Sequence, residues 1–327
     1  MPPAKPTDPR SSPPSRQISP QPPPEVVDPI WLLKALALTV VAALVCAWLT
    51  ACWLVYQGEW QLVLHPNRTV DRTPASADLA FDEIRFGASE TGQPRLTGWW
   101  IPAQDPPAPN AQPSPQPIPI PIPIPKYAAY TILYLHDGSG SLSNTVPMLA
   151  RLHRAGLNVF AFDYRGFGTS DASAHPSEAR MAQDAAAALD YLTATRHIPT
   201  RNVVPYGVGL GATLAANLAH NHPDLPAIII DNPDPDPAST AASAHPSRII
   251  PVRLLFGDGF DIAAQLATLA TPKLLIAGGP NPHNLGQMQS LFQHAASPSY
   301  TVTLPSGYDA GYQLALDRFL DQYIPSH

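Results

Sequence analysis

From Ile30 to Tyr56 the chain reads IWLLKALALTVVAALVCAWLTACWLVY, with one charge, Lys34, near its start. At ~1.5 Å per residue a helix of this length exceeds the ~30 Å thickness of bilayer hydrocarbon. A segment with so few polar side chains has to satisfy its backbone groups internally if it enters lipid, so a single spanning helix over 30–56 is the expected structure. Trp31 at one end and Trp53, Tyr56 and Trp60 at the other stand where interfacial aromatic residues gather. Lys5, Arg10, Arg16 and Lys34 precede or open the span, against Arg68 and Arg72 soon after it, a bias that favours a cytoplasmic N-terminus. Leu49-Thr-Ala-Cys52 also has the form of a lipoprotein signal, although Trp53 directly after the cysteine and the long preceding tail fit such processing poorly. An intact tail in the mature protein excludes it.

The other regions divide by composition. Residues 1–29 are dominated by Pro, Ser and Gln and hold too few apolar groups to offset the entropy of ordering, so a disordered tail is expected. Of 327 residues, 42 are proline and only 13% are charged. A second proline-rich stretch, 102–125, ends in PIPIPIPIP and is expected to be an extended polyproline II loop inside the globular region. A surface expansion explains it more simply than a docking site for a partner. The net charge of −6 without a Lys/Arg cluster gives no electrostatic footprint for nucleic acid. Cys46 and Cys52 both lie in the apolar run, which leaves 57–327 without a disulfide.

Over 57–327 short apolar runs alternate with helical patterns. Strands are expected at 79–86, 96–101, 131–136, 158–163, 203–206, 227–231, 273–277 and 300–304. Helices are expected near 144–155, 177–195, 210–221, 285–295 and 311–322. That alternation describes an α/β domain whose mostly parallel sheet is covered on both faces and begins antiparallel. Pro176 and Glu178 are ordinary start signals for the 177–195 helix, whose Ala-rich face suits packing on a sheet.

Three segments in order carry a resemblance. YLHDGSGSLSN (134–144) is similar to an oxyanion loop of the type His-Gly-Asn-Ala-Gly-Asn, with Asp137 in place of a small residue. FAFDYRGFGTS (160–170) is similar to the next strand and turn, and YGVGLGA (206–212) stands where a nucleophile elbow Gly-x-Ser-x-Gly belongs. Together they resemble the bacterial membrane-anchored α/β hydrolases of the serine-aminopeptidase-like group. The resemblance implies an α/β-hydrolase fold preceded by one transmembrane helix, with His136, Asp137, Gly138, Ser139 and Leu210 around the oxyanion site.

It also points to three losses. Gly207 and Gly211 keep the elbow, but the serine is Gly209. Without a side chain no covalent intermediate forms there. An elbow residue normally sits at positive φ, at a strain of roughly 1–2 kcal/mol that glycine largely avoids. KLLIAGGPN (273–281) resembles the segment that supplies the acid, and its place is taken by Asn281, an amide without the charge that stabilises imidazolium. LPSGY (304–308) resembles the loop that supplies the base, and Tyr308 stands there, a poor proton acceptor at neutral pH. Losing one member of such a unit removes about 10⁶-fold of rate. Three losses at the three positions suggest that catalysis is no longer required.

The expected function is therefore non-catalytic: a membrane-anchored hydrolase-fold protein that binds or scaffolds a small molecule or protein, with its globular domain outside the cytoplasm of a bacterium. Two alternatives use other chemistry. A relocated hydrolase would draw on Ser139, Ser141, Ser143 or His283. A dinucleotide site would use Gly207–Ala212 as Gly-x-Gly-x-x-Ala with Asp231 at the end of the next strand, although such a fingerprint normally opens its domain. His220 and His222 fall near a helix C-terminus, where a cation-capable side chain is favourable without function. The Asp/Pro run 231–237 reads as a solvated loop, since its prolines hinder convergence on a calcium ion. With no HExxH or Cys/His cluster, no metal or other cofactor is expected.

Overall fold

The computed structural model describes residues 28–57, 61, 63–88, 92–104, 124–172, 175–244, 260–278, 285–304, 307–308 and 310–324. Asn281, His283, the N-terminal tail up to residue 27 and loop residues 105–123 lie outside them. The chain divides into two compact units, Met1–Thr50 and Ala51–His327.

The apolar run forms one helix, α1 (Pro29–Gln57). Asp28 Oδ1 accepts the Ile30 N–H at 2.9 Å and caps its first turn. Thr39 and Thr50 turn their hydroxyls back to the carbonyls of Ala35 and Cys46, both at 2.8 Å, so neither is left unsatisfied on an apolar surface. Residues Pro29–Leu54 are long and apolar enough to serve as a membrane anchor or a signal sequence.

The second unit is built on eight strands: β1 (Asp82–Ala88), β2 (Pro94–Ile101), β3 (Thr131–Leu135), β4 (Asn158–Asp163), β5 (Val203–Val208), β6 (Ile228–Asp231), β7 (Lys273–Gly278) and β8 (Ser299–Leu304). They lie in the order β8-β7-β6-β5-β3-β4-β2-β1. The β1–β2 and β2–β4 pairs are antiparallel and all others parallel, as the strand pattern predicts. Gly98 sits opposite Phe162, where a Cβ would come 2.7 Å from the Ala161 carbonyl.

Alternation along the strands divides the core. Leu133, Phe160 and Phe162 face one side, where they meet α3 (Glu178–Asp190), α4 (Gly211–Asn221), α6 (Ile262–Thr268) and α7 (Leu285–Gln293) through residues such as Met181, Leu214, Leu266 and Met288. Ile132, Tyr134, Val159 and Tyr206 face the other, against Leu149 and Leu152 of α2 (Val146–Arg154) and Leu316, Phe319 and Leu320 of α8 (Ala310–Tyr323). A short helix, α5 (Pro237–Ala244), follows β6, and neither it nor α6 is foreseen by the sequence pattern. Helix α3 ends at Asp190, and the chain continues through a π-turn, Tyr191–Thr195, over a stretch where the periodicity predicts uninterrupted α-helix.

Two devices fix the loops at the carboxyl ends of the parallel strands. His65–Pro66 bridges in parallel to Ser139–Gly140, with the His65 N–H donating to the Gly138 carbonyl at 2.7 Å. In the turn after β4, Arg165 grips Asp184 of α3 through Nε at 2.6 Å and its backbone N–H at 2.9 Å. Gly168 passes so close to Asp163 that a Cβ would lie 1.9 Å from Oδ2.

Candidate functional site: a filled elbow

Strand β5 passes into α4 through Gly209 and Leu210. Gly209 has φ +56°, the left-handed conformation expected of an elbow, and its N–H donates to the Asp231 carbonyl at 3.0 Å. The flanking glycines are required sterically: a Cβ on Gly207 would lie 2.3 Å from the Gly211 carbonyl, and one on Gly211 would lie 2.2 Å from that of Leu135.

A side chain on Gly209 would meet a different obstacle, for its Cβ would come 2.3 Å from Asp137 Oδ1. That oxygen accepts the Gly138 N–H at 2.7 Å and the Leu210 N–H at 3.2 Å, while Oδ2 accepts the Ser139 hydroxyl at 3.3 Å. Gly138 and Leu210 stand where the resemblance implies the two peptide donors of an oxyanion site. Here the protein's own carboxylate occupies both. Gly138 is itself hemmed in, since a Cβ there would lie 2.6 Å from Leu64 and from Leu210.

His136 is only 1% exposed and packs between Tyr164 and Phe167, at ring-centroid distances of 4.4 and 5.3 Å. Nδ1 lies 2.7 Å from the Asp137 carbonyl, which assigns it the proton. Nε2 is buried without a hydrogen-bond partner, 3.7 Å from Asp163 Oδ1. Burial lowers the His136 pKa to about 4 and raises that of Asp163 to about 7. The imidazole is therefore neutral and enclosed between aromatic rings. Ser141 and Ser143 donate to the carbonyls of Thr69 and Arg72, both at 3.0 Å.

Tyr308 donates to Asp231, with 2.9 Å to each carboxylate oxygen. Tyr206 donates to Asp231 Oδ2 at 2.5 Å and Asn232 Nδ2 to Oδ1 at 3.0 Å, and Tyr312 donates to the Tyr206 hydroxyl at 3.3 Å. Asp231 is fully buried; burial raises its pKa to about 6 even though these donors favour its ionised form. Burial and that neighbouring carboxylate push the Tyr308 phenol far above its ordinary value, so it acts as a donor and not as a base. Asp231 thus joins Gly209 and Tyr308: its carbonyl accepts from the Gly209 N–H and its carboxylate from the Tyr308 hydroxyl. The sequence places Asp231 in an Asp/Pro run that reads as a solvated loop, with a dinucleotide's acid as the alternative; instead it is fully buried at the end of β6, and the available signal was a tyrosine on β5 beside an acid ending β6. Asp234 and Asp236 accept the N–H groups of Asp236 and Ser239, at 3.1 and 2.8 Å, in the turn leading into α5.

A family model described as serine aminopeptidase, S33, matches residues 128–289. The Pyrococcus furiosus esterase Pf2001 superposes with a TM-score of 0.60 at 15% identity, over 80% of this chain and 99% of that one. The chain belongs to the α/β-hydrolase family. Esterase LipW from Mycobacterium marinum shares the fold at a TM-score of 0.51 and 19% identity, over 77% of this chain and 84% of that one. In sequence this α/β hydrolase is 31% identical over 177 residues to the uncharacterized protein Rv2307c of Mycobacterium tuberculosis, covering 53% of this chain and 60% of that one. It is 25% identical over 233 residues to YfhR of Escherichia coli K12, covering 70% and 72%. The chain therefore spans about 60% of the mycobacterial relative it matches.

Proposed function

We propose that this α/β-hydrolase-family chain is a non-catalytic, membrane-anchored protein whose fold serves binding or scaffolding. The observation that carries the reading is the Asp137 carboxylate between the Gly138 and Leu210 N–H groups, against a Gly209 that has no room for a nucleophile. An ester carbonyl needs those two donors free and a hydroxyl or thiol beside them. The conversion of the base position into a phenol bonded to a buried acid supports the same reading.

The relocated-hydrolase alternative has less support, because among the described residues Ser139, Ser141 and Ser143 bond to Asp137, Thr69 and Arg72; His283 lies outside them. For a dinucleotide, the Asp231 carboxylate is buried and already engaged by three donors, so it is not free for a ribose hydroxyl. We place helix α1 as a single-pass anchor in a bacterial inner membrane, with the globular unit on the outer side. The test of function is the full-length protein in nanodiscs, treated with a fluorophosphonate probe and a panel of short-chain esters. No labelling and no turnover above buffer are expected. Stoichiometric covalent labelling overturns the proposal.

A further inference from the structure

Far from the elbow, at the β1 edge of the sheet, two adjoining cavities lie between the β1–β2 ribbon and the end of α3. The outer one is about 570 Å³ and the inner about 160 Å³, and Gly87 and Ala187 line both. Ligand sites are typically roughly 300–1,000 Å³. Pro94 and Arg95 open β2, which runs antiparallel to β4 with Thr97 opposite Asp163, the last residue of β4. The cavities therefore open at the carboxyl end of β4, the end at which open α/β sheets hold ligands.

The walls differ in chemistry. Phe86 and Tyr191 give the outer cavity aromatic surface, and Ala187 and Ala194 keep its side chains small. Tyr191 begins the π-turn, a departure from α-helix that recurs at functional sites. Its ring is held 5.3 Å from Phe86 and 5.2 Å from Phe160, and its hydroxyl accepts Arg196 Nε at 3.1 Å, so this surface is preformed. The inner cavity is lined by Arg95, Arg165, Gln183 and Asp184. Arg165 is engaged there, bonded to Asp184, to Gln183 Oε1 at 2.9 Å and to the Arg180 carbonyl at 3.0 Å. Arg95 Nε, by contrast, is buried with no hydrogen-bond partner. Asp184 lies close enough to feel the Arg95 charge but does not bond this N–H, and because the Arg95 side chain lines the cavity, a small rotation brings its guanidinium onto an incoming anion that supplies the acceptor.

We infer that the paired cavities at the β1 edge form a binding site for a small amphipathic carboxylate. Its apolar body lies on Phe86 and Tyr191, and its carboxylate bonds Arg95. The lining charges are Arg85, Arg95 and Arg165 against Asp184 and Asp190, one positive charge in excess, which fits a monoanion. Gly87, at φ +70°, lines both cavities, and a side chain there would narrow the passage between them. This inference is independent of the proposed function, because the residues that line the cavities are not those that form the elbow cluster described above.

The test is calorimetric titration of the full-length protein in nanodiscs, with empty discs subtracted, using 2-naphthylacetate and its neutral analogue 2-naphthylacetamide. The carboxylate is expected to bind saturably and at least about tenfold tighter than the amide. Arg95→Met should bring the carboxylate down to the amide's affinity and leave the amide unchanged. Ala194→Trp, an exposed position on the outer wall, should abolish binding of both. Equal affinity for acid and amide, no saturable heat with the carboxylate at millimolar concentration, or binding insensitive to Ala194→Trp overturns the inference. If Arg95→Met does not fold, the acid–amide comparison and Ala194→Trp still decide it. The fluorophosphonate experiment reads a different site, so failure of one does not decide the other.

Discussion

Placing a serine at Gly209 should damage the protein unless Asp137 is removed with it. In Gly209→Ser the new Cβ falls 2.3 Å from Asp137 Oδ1, so the carboxylate has to leave and give up its bonds to Gly138 and Leu210. Hydrogen bonds to a charged group contribute about 1.5–3 kcal/mol each, and water recovers much of this because Asp137 is half-buried. Holding an L-residue at φ +56° adds roughly 1–2 kcal/mol of strain. Together these give about 3 kcal/mol of destabilisation for Gly209→Ser. Asp137→Gly loses the same two bonds without strain, at about 1–2 kcal/mol. In the double variant the collision is gone and the bonds are lost only once, so it should be about 2 kcal/mol more stable than the sum of the single changes. For a domain of this size that corresponds to roughly 4–8 °C in Tm. Thermal unfolding of the four proteins in nanodiscs measures it. Additivity within about 0.5 kcal/mol would refute the claim that the two substitutions are one steric unit.

Three further outcomes follow from the same geometry. Asp163, Asp231 and Asp184 have folded pKa values raised by burial to about 7, 6 and 6, so the native state holds protons that the unfolded chain releases, and stability falls as pH rises between about 4 and 7. His136, lowered to about 4, opposes this below its ordinary value, leaving the protein roughly 2 kcal/mol more stable near pH 5.5 than near pH 7; a flat or inverted pH profile of unfolding contradicts the assignment. Tyr308→Phe removes one of three donors from a buried carboxylate and should cost about 1–3 kcal/mol, more at pH 8 than at pH 5, whereas equal loss at both would detach Tyr308 from Asp231. Adding Tyr308→His to the Asp137→Gly, Gly209→Ser pair places an imidazole beside Asp231 and should raise hydrolysis of p-nitrophenyl acetate by about 10²–10³ over the double variant, and equal rates would show that Asp231 cannot orient a base.

Much of this architecture was legible from the sequence because buried parallel strands write themselves as short apolar runs. The Ile228–Asp231 strand is three isoleucines and an aspartate, and the 158–163 strand was placed residue for residue. Glycines at fixed spacing told as much, since Gly207 and Gly211 are imposed by backbone approaches that only the elbow turn creates. Helices α5 and α6 escaped because their short, Ala-rich sequences carry little amphipathic signal. The π-turn escaped because one extra residue per turn leaves the apolar pattern almost unchanged over five residues. At the site, sequence showed that Asp137 was unusual but not what it touched. Its partner Leu210 is 73 residues away, and the bond is to a backbone N–H that no side-chain pattern records. The bond between Asp231 and Tyr308 crosses 77 residues in the same way.

The two clusters share a physical logic, and it supports the non-catalytic function proposed above. A catalytic cradle keeps polar groups incompletely satisfied until substrate arrives, and the strain and desolvation this requires are commonly offset elsewhere in the fold. Without the Asp137 carboxylate the Gly138 and Leu210 donors would lose that acceptor, and an apolar residue at position 308 would deprive a fully buried Asp231 of a donor. Asp137 satisfies the first pair, and Tyr308 with Tyr206 and Asn232 satisfies the second. Gly209 at the same time relieves the backbone strain that a side chain would store there. In both clusters the protein's own side chains supply the hydrogen bonds that a catalytic site would leave for its substrate. A site that turns over an ester needs these donors free, so the fluorophosphonate experiment reads the same feature that the hydrogen bonds of Asp137 express.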